Sequence, residues 1–505
     1  MIALVDRFID RITMYRLVLW YLVGLMLAAM LLGALHLIAV DPVALALSSV
    51  LVLAGGWLAN QIFARIFGAI PNIESVYITG LIIVLIMDPA PLGELSGAGA
   101  IVFASAWAMA SKFIFSLRRR HVFNPAAIGV ALPALLVDHP ATWWVSGQVW
   151  LMPLVIVGGL LIVRKLRRFD LVLAFAAANL LVTVLTGDPT DALQSLRFAL
   201  FDSPFFFFAC VMLTEPLTAP QSKFWRIAYG ALVGALAAPN VAIASYYFTP
   251  EVALLVGNLL TLAVSPQGRV VLTLERIEQA ASGIKDYIFR PDRALSFAAG
   301  QYLEWTLPLQ GADNRGNRRY FTIASAPADE RLRLGVKFVP DGSAFKRGLS
   351  QLQPGDQIVA SQLAGSFTLP RNTRRKLAFI AGGIGITPFR SMLEELLERG
   401  EARPITVLYG NNRIDEVAYA DVLKRAREEL GIPTWYAVRD AEGATPQMTI
   451  GFVDATMIKQ RVPDYRERTF YISGPQAMVS ATRQTLRDLG VPSRRIKTDF
   501  FPGLA

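Results

Sequence analysis

The chain has 505 residues, 54% of them apolar, with a formal net charge of +10. One cysteine, Cys210, excludes disulfides within the chain. It also excludes a four-cysteine iron–sulfur cluster or zinc ribbon, and of His36, His121 and His139 only His36 lies in or near an apolar stretch, so a bis-histidine membrane haem, which needs paired histidines on facing helices, is not expected.

Residues 1–16 carry Asp6, Arg7, Asp10, Arg11 and Arg16, and the apolar run that follows is too long for a signal-peptide core. No cleavable leader is expected. Ten apolar segments follow, near 17–40, 43–64, 76–87, 97–116, 124–137, 147–163, 170–187, 203–214, 225–243 and 250–264. Several fall short of the roughly 20 residues of a straight span, as broken helices do. Arg118, Arg119 and Arg120 follow the fourth segment. Arg164, Lys165, Arg167 and Arg168 follow the sixth, and Lys223 and Arg226 the eighth. The opposite loops hold Asp41, Asp88, Glu94, Asp138, Asp188 and Asp191, with Arg197 as their one clear basic residue. Both termini are therefore expected in the cytoplasm, with the protein multi-pass in the inner membrane. Basic residues placed this way serve topology, so no nucleic-acid partner is expected.

The stretch IIVLIMDPAP followed by HVFNPAAIGVAL has a counterpart in FACVMLTEPLTAP followed by YYFTPEVALLVGNLL. Pro89 and Pro216 are 127 residues apart, and Pro125 and Pro250 are 125 apart. Residues 1–268 thus read as a transmembrane domain of about ten spans in a 5+5 repeat, inverted because each unit has an odd number of spans. An acid before Pro at the end of a span is costly in lipid and usually functional. Asn124, Thr214, Glu215 and Thr218 surround such breaks, where free backbone groups need polar partners.

The break at SPQGR (265–269) opens a soluble half. The runs VVLTLERI, GQYLEWTLPL, RRYFTIASAP, LRLGVKFV and DQIVASQL, parted by turn residues, predict a small antiparallel barrel over 269–372. From 373 to 505 the order becomes strand, Gly-rich turn, helix, strand: KLAFIAG, GIGITP, FRSMLEELLERG, PITVLYG. That is a βαβ unit of an α/β, Rossmann-like nucleotide domain. Gly382, Gly383 and Gly385 let a backbone approach a pyrophosphate, with Thr387 and Pro388 opening the helix. Arg319 and Phe321 alternate onto one strand face, with Tyr320 and Thr322 beside them. YISGPQAM adds a second strand ending in a small-residue turn.

Residues 269–505 resemble the ferredoxin–NADP reductase superfamily. The ordered motifs are FAAGQY at 297–302, RYFT at 319–322, GSAFK at 342–346, GSF at 365–367, GGIGITP at 382–388, YG at 409–410 and SGP at 473–475. The resemblance implies that Arg319 pairs with the FAD pyrophosphate, Phe321 lies against the isoalloxazine and Thr322 bonds flavin N5. It also implies that Gly342, Ser343 and Lys346 hold the pyrophosphate. The glycine turn, Thr387, Pro388 and Tyr409 would bind NADH or NADPH, with Ser473, Gly474 and Pro475 at the nicotinamide. Phe321 and Ser473 stand where the family often has Tyr and Cys. Arg413 is a candidate for a coenzyme 2′-phosphate.

RRRHVFNPAAIGV at 118–130 and MLTEPLTAP at 212–220 resemble the B subunit of the sodium-pumping NADH:quinone reductase and the D subunit of the Rnf complex. That likeness implies a flavin in the membrane half. The covalent-flavin motif is absent, although Thr190 lies nearby in LTGDPTDALQS, so a non-covalent FMN or riboflavin is expected. The joint expectation is a membrane NAD(P)H oxidoreductase that passes electrons from FAD to the membrane flavin. From there they go across the lipid bilayer to an extracytoplasmic flavin-bearing protein, or to quinone. The alternatives are an ion or solute transporter with a regulatory reductase domain, a reductase on an inert anchor, and a haem oxidase, which lacks its paired histidines.

Overall fold

Side-chain caps open the first helices. The computed structural model describes residues 5, 9, 12–68, 73–117, 120–243, 246–265, 268–309, 316–339, 342–440, 442–443, 445 and 448–499. Asp6, Arg7, Asp10, Arg11, Arg118, Arg119 and Pro266 lie outside these residues. Two compact units divide the chain, Met1–Gly268 and Arg269–Ala505.

In the first unit, α1 (Met14–Ala34) begins where Thr13 Oγ1 accepts the Arg16 N–H. The second helix, α2 (Pro42–Ile66), begins where Asp41 accepts the Val43 N–H, with Pro42 in the first turn. Next come α3 (Ile73–Ile86), α4 (Leu95–Ile114), the short hairpin β1 (Ser116–Leu117) and β2 (Arg120–His121), and α5 (Pro125–Leu136). Then follow α6 (Met152–Leu166), α7 (Phe169–Thr186), α8 (Ala192–Arg197) with a π-helical turn at Phe198–Asp202, and α9 (Phe205–Phe207). A second π-helical stretch, Phe208–Met212, leads to α10 (Lys223–Leu236), the hairpin β3 (Ala242–Ile243) and β4 (Tyr246–Tyr247), and α11 (Pro250–Val264).

Helices α1, α2, α4 and α7 are long and apolar enough to cross a membrane, and the bent pair Ala192–Asp202 with Phe205–Met212, at 59°, makes a fifth. Leu27, Leu31, Val50 and Leu58 face outward on α1 and α2, more than half exposed. Such a face suits lipid and would aggregate in water. The unit is therefore read as membrane-associated. The apolar segment expected over 203–214 is not one regular helix: the chain turns at Pro204 and then widens into π geometry before the TEPLTAP turn.

Local construction repeats along this unit. Ser116 pairs with His121 in the first hairpin and Ala242 with Tyr247 in the second. The Val122 N–H donates to Phe115 O at 2.9 Å, and the Phe248 N–H donates to Val241 O at 3.0 Å, an offset of 126 residues. Each hairpin runs into a helix with Pro in its first turn, α5 and α11. Helix pairing follows suit. The contacts of α2 with α4 and α4 with α5 recur as α7 with α10 and α10 with α11, while α5 meets α11 and α1 meets α6.

The second unit opens with β5 (Val270–Ala281), β6 (Ile284–Pro291), β7 (Tyr302–Thr306), β8 (Arg318–Thr322), β9 (Leu332–Lys337), α12 (Ala344–Ser350) and β10 (Gln357–Ala364). The strands form an antiparallel sheet in the order β8-β7-β10-β5-β6-β9. Leu272, Leu274, Phe289, Leu303, Trp305 and Leu334 bury its inner face. One bond from the Ala324 N–H to Arg333 O, at 2.9 Å, links the two outermost strands. Strand β6 carries Lys285, Asp286 and Arg290 among its apolar residues, and so escaped the alternation that marks its neighbours.

A second layer holds β11 (Leu377–Gly382), α13 (Thr387–Arg399), β12 (Ile405–Asn411), α14 (Ala420–Leu430), β13 (Thr434–Val438), β14 (Thr449–Ile450), α15 (Ala455–Arg461), β15 (Thr469–Ser473), α16 (Gln476–Asp488) and β16 (Ile496–Asp499). The sheet is parallel, in the order β14-β13-β12-β11-β15-β16. Its continuous apolar strands are covered by helices, as a parallel sheet requires. The glycine-rich turn leaves central β11 at the carboxyl ends of the strands, where ligands of such sheets bind.

Candidate functional site

β8 is an edge strand, so its outer backbone groups stay outside the ladder. Arg319 and Phe321 do share a face. The guanidinium of Arg319 lies 5.4 Å from the Phe345 ring centroid, and the Phe321 ring lies 5.7 Å from the same ring. Arg319 Nη1 also donates to Gly316 O and Arg318 O. Phe321 is 9% exposed, packed into the core more than presented on the surface. On the opposite face the Tyr320 hydroxyl donates to Glu304 Oε2 at 3.0 Å. The Thr322 hydroxyl stands 3.5 Å from Asp499 Oδ2.

Asp499 was missed in the sequence. It ends β16 in register with Ser473 at the end of β15, and both are buried. The only sequence signal was an acid closing the run IKTD.

The turn Gly383–Ile386 joins β11 to α13. Gly383 adopts φ +50 with open space where a Cβ would stand, so its backbone is open to a ligand. A Cβ on Gly385 would come within 2.5 Å of Ser473 O, so the turn rests on the Ser473–Gly474 backbone. Thr387 donates to Ile384 O at 3.2 Å, and Pro388 sits in the first turn of α13. Tyr409 is fully buried. Its hydroxyl donates to Gly383 O at 3.1 Å and accepts the Ala418 N–H at 3.3 Å. Burial pushes the Tyr409 phenol up, so it keeps its proton and stays a donor.

Gly342 precedes Ser343, whose Oγ accepts the Lys346 N–H and caps α12. Pro475 is exposed beside Gly474, while Arg413 forks onto Asp415 at 3.0 and 2.7 Å. These residues fit the two expected groups. A free strand edge with a cation and a hydroxyl suits FAD, and an open glycine turn over a parallel sheet suits a dinucleotide. Buried Asn411 closes β12 two residues beyond Tyr409.

In the first unit the structure joins Asn124, Glu215 and Thr218 to one another, while Thr214 bonds back to its own helix. Glu215 Oε2 accepts from Asn124 Nδ2 at 2.9 Å and from the Thr218 hydroxyl at 2.8 Å. Glu215 Oε1 meets His121 Nε2 at 3.2 Å. Thr214 donates to Cys210 O at 2.8 Å. Asn258 Oδ1 accepts the Asn124 N–H, and Asn258 Nδ2 donates to Thr218 O. The carboxylate thus ties β2, the start of α5 and the TEPLTAP turn together, and Asn258 adds α11. These bonds hold the side chains in place, and the Glu215 side chain keeps 23% exposure. His121 and Asn258 were missed in the sequence: one stood in a basic loop, the other in an apolar run. Asp88, the counterpart acid, is exposed and accepts from the Thr142 hydroxyl at 2.8 Å. Among the described residues no group of three or more His, Cys, Asp or Glu is placed to hold a metal.

The model of the oxidoreductase NAD-binding domain family matches residues 379–484. The chain is similar to ferredoxin–NADP reductase B of Sorangium cellulosum, 32% identical over 230 residues, which are 41% of this chain and 86% of that protein. It is also similar to a flavohemoprotein of Bacillus cereus, 28% identical over 232 residues, 43% of this chain and 57% of that protein. The chain therefore spans a little over half the length of that relative. Among solved structures, the FAD/NAD-binding domain of a nitric oxide dioxygenase from Vibrio cholerae matches with a TM-score of 0.41 and 19% identity, over 46% of this chain and 98% of that one.

Proposed function

From residue 269 onward the chain belongs to the ferredoxin–NADP reductase family, and on that premise we propose that the whole protein is a membrane-bound NAD(P)H oxidoreductase. It draws electrons from NADH or NADPH on the cytoplasmic side and delivers them to an acceptor in or across the membrane. The observation that carries this reading is the convergence of Thr322, Ser473 and Asp499 beside the glycine-rich turn.

FAD, when bound, supplies the exchange between a two-electron hydride and single electrons. The chain's own residues prepare the site for it. Arg319 offers a fixed cation to a pyrophosphate, and the capped start of α12 at Ser343 and Lys346 adds backbone and side-chain donors. The Thr322 hydroxyl holds a proton with the Asp499 carboxylate as its acceptor. The turn Gly383–Ile386 and Thr387 line the approach of a dinucleotide, and Ser473 closes the floor beneath it.

The acceptor we propose is a non-covalent FMN or riboflavin among the helices, or quinone from the lipid bilayer, with an extracytoplasmic flavin-bearing protein as a further partner. The likeness of 118–130 and 212–220 to membrane flavin subunits belongs to this proposal. Asn60 Nδ2 on α2 and Trp107 Nε1 on α4 are shielded donors without partners among the described residues, and such donors suit the carbonyls of a flavin or quinone.

The test is to release and count flavins from the purified full chain, then mix it with NADH and with NADPH. One FAD, a second flavin, and bleaching of the FAD by a coenzyme are expected. FAD alone, with no reduction of quinone or of an acceptor trapped in proteoliposomes, would favour a transporter with a regulatory reductase domain.

A further inference from the structure

The reductase reading uses Thr322 and the glycine-rich turn but leaves unexplained a buried ionic cluster between the two sheets of the second unit. Asp286 on β6 is 1% exposed. It stands opposite Gly335 of β9 in the strand register. A Cβ on Gly335 would strike the Tyr419 hydroxyl, so the missing side chain is the opening through which that hydroxyl enters. Tyr419 comes from the parallel-sheet layer and donates to Asp286 Oδ1 at 3.3 Å. Arg333 Nη1 donates to Asp286 Oδ2 at 3.0 Å. Both carboxylate oxygens are thereby committed.

Tyr419 is held at φ +57, a left-handed conformation that costs a residue with a side chain about 1–3 kcal/mol and persists only where its surroundings impose it. The preceding Ala418 N–H donates to the Tyr409 hydroxyl, which in turn donates to Gly383 O. A bonded path therefore runs from Asp286 through Tyr419, Ala418 and Tyr409 to the glycine-rich turn.

A second tie acts from the other side. Arg390 on α13 lies 5.0 Å from the Tyr419 ring centroid and donates to Ala324 O at 2.5 Å. Its neighbour Ser391 donates to Ser325 O at 2.6 Å. Ala324 and Ser325 continue the chain directly beyond Thr322. The cluster thus grips both the turn expected to hold the coenzyme and the strand edge expected to hold the flavin.

We propose that Tyr419 and Asp286 are positioning residues that fix the glycine-rich turn against the β8 edge and so set the geometry of hydride transfer. The inference rests on the reductase reading. Its physical basis is the steep dependence of transfer rates on donor–acceptor placement, where about 1 Å of misplacement costs about a hundredfold.

Tyr419→Phe removes one oxygen and keeps the ring beneath Arg390. In the FAD-loaded full chain, bleaching of FAD is followed by stopped flow with NADH or NADPH and with the 4-deuterated coenzymes. The expected result is wild-type FAD content, a coenzyme KM within about twofold, reduction slower by about tenfold, and an altered primary isotope effect. Asp286→Asn keeps an acceptor for Tyr419 and is expected to retain more of the rate than Asp286→Ala. A merely stabilising contact would lower the melting temperature and leave rate and isotope effect unchanged, which would overturn the proposal. Should Tyr419→Phe fail to accumulate, Gly335→Ala displaces the same hydroxyl and is judged by the same readout. No reduction of the wild-type chain by either coenzyme would instead overturn the reductase reading, and this inference with it.

Discussion

Asp499 lies beside Ser473 at the carboxyl ends of two paired parallel strands, with its Oδ2 3.5 Å from the Thr322 hydroxyl. Neither Thr322 nor Asp499 has water as its natural partner, since both are more than nine-tenths buried. A buried hydroxyl and carboxylate at a strand edge form a proton-holding pair.

Thr322→Val and Asp499→Asn should each retain FAD while slowing its reduction by NAD(P)H about a hundredfold. Stopped-flow bleaching of the flavin checks this. Wild-type rates in both variants would remove the pair from the chemistry.

Glu215→Ala should destabilise the first unit by about 3 kcal/mol, because it strands the buried Asn124 amide, the Thr218 hydroxyl and His121 together. Glu215→Gln should cost less, since it keeps an acceptor oxygen. Thermal unfolding in detergent reads both. Equal melting of the three proteins would show that the cluster ties nothing.

Coenzyme choice should respond to Asp415. Arg413 is committed to it by a two-pronged ion pair at the surface, where such pairs are weak and screened. Asp415→Ala frees the guanidinium for a 2′-phosphate, so the KM for NADPH should fall about fivefold relative to NADH at low salt and less at high salt. An unchanged ratio at both ionic strengths would place Arg413 away from the coenzyme.

Acid should weaken the second unit through Asp464. Burial raises this carboxyl's pKa, but hydrogen bonds from Arg468 and Lys376 and the charges behind them outweigh it and hold it below the usual carboxylate range. The stabilisation is therefore complete above the unfolded value of about 4 and is lost as the pH falls through the lower folded value. Asp464→Asn should cost about 1 kcal/mol at pH 7, with the difference from wild type shrinking in acid. Denaturant unfolding at several pH values measures it.

What the sequence disclosed follows from how each signal is encoded. Strands β5, β7, β8, β9 and β10 alternate or carry β-branched and aromatic residues, and β11 with its glycine turn announces itself locally. β6 hides because Lys285 and Asp286 interrupt its apolar run, and Asp286 is buried only through partners far away in the chain. Tyr419 and Asp499 are likewise defined by register and long-range contact, which no local window contains. In the first unit the apolar segments mark helices, but the π geometry at 208–212 and the bond between His121 and Glu215 depend on packing. Glu215 stood out as a lone acid with Thr218 beside it, but its bonds to His121 and Asn124 reach back 94 and 91 residues, beyond any local window.

The paired hairpins and their following helices carry a consequence for assembly. Each half of the first unit contains its own hairpin leading into a helix with Pro in its first turn, and the contacts of α2 with α4 and α4 with α5 recur as α7 with α10 and α10 with α11, while α1 with α6 and α5 with α11 join one half to the other. A cut in the connection between α5 and α6 severs none of these contacts. Two separately translated polypeptides, 1–140 and 141–505, are therefore expected to reassemble on co-expression, and failure of the two to co-purify in detergent would show that these contacts do not hold without the covalent link.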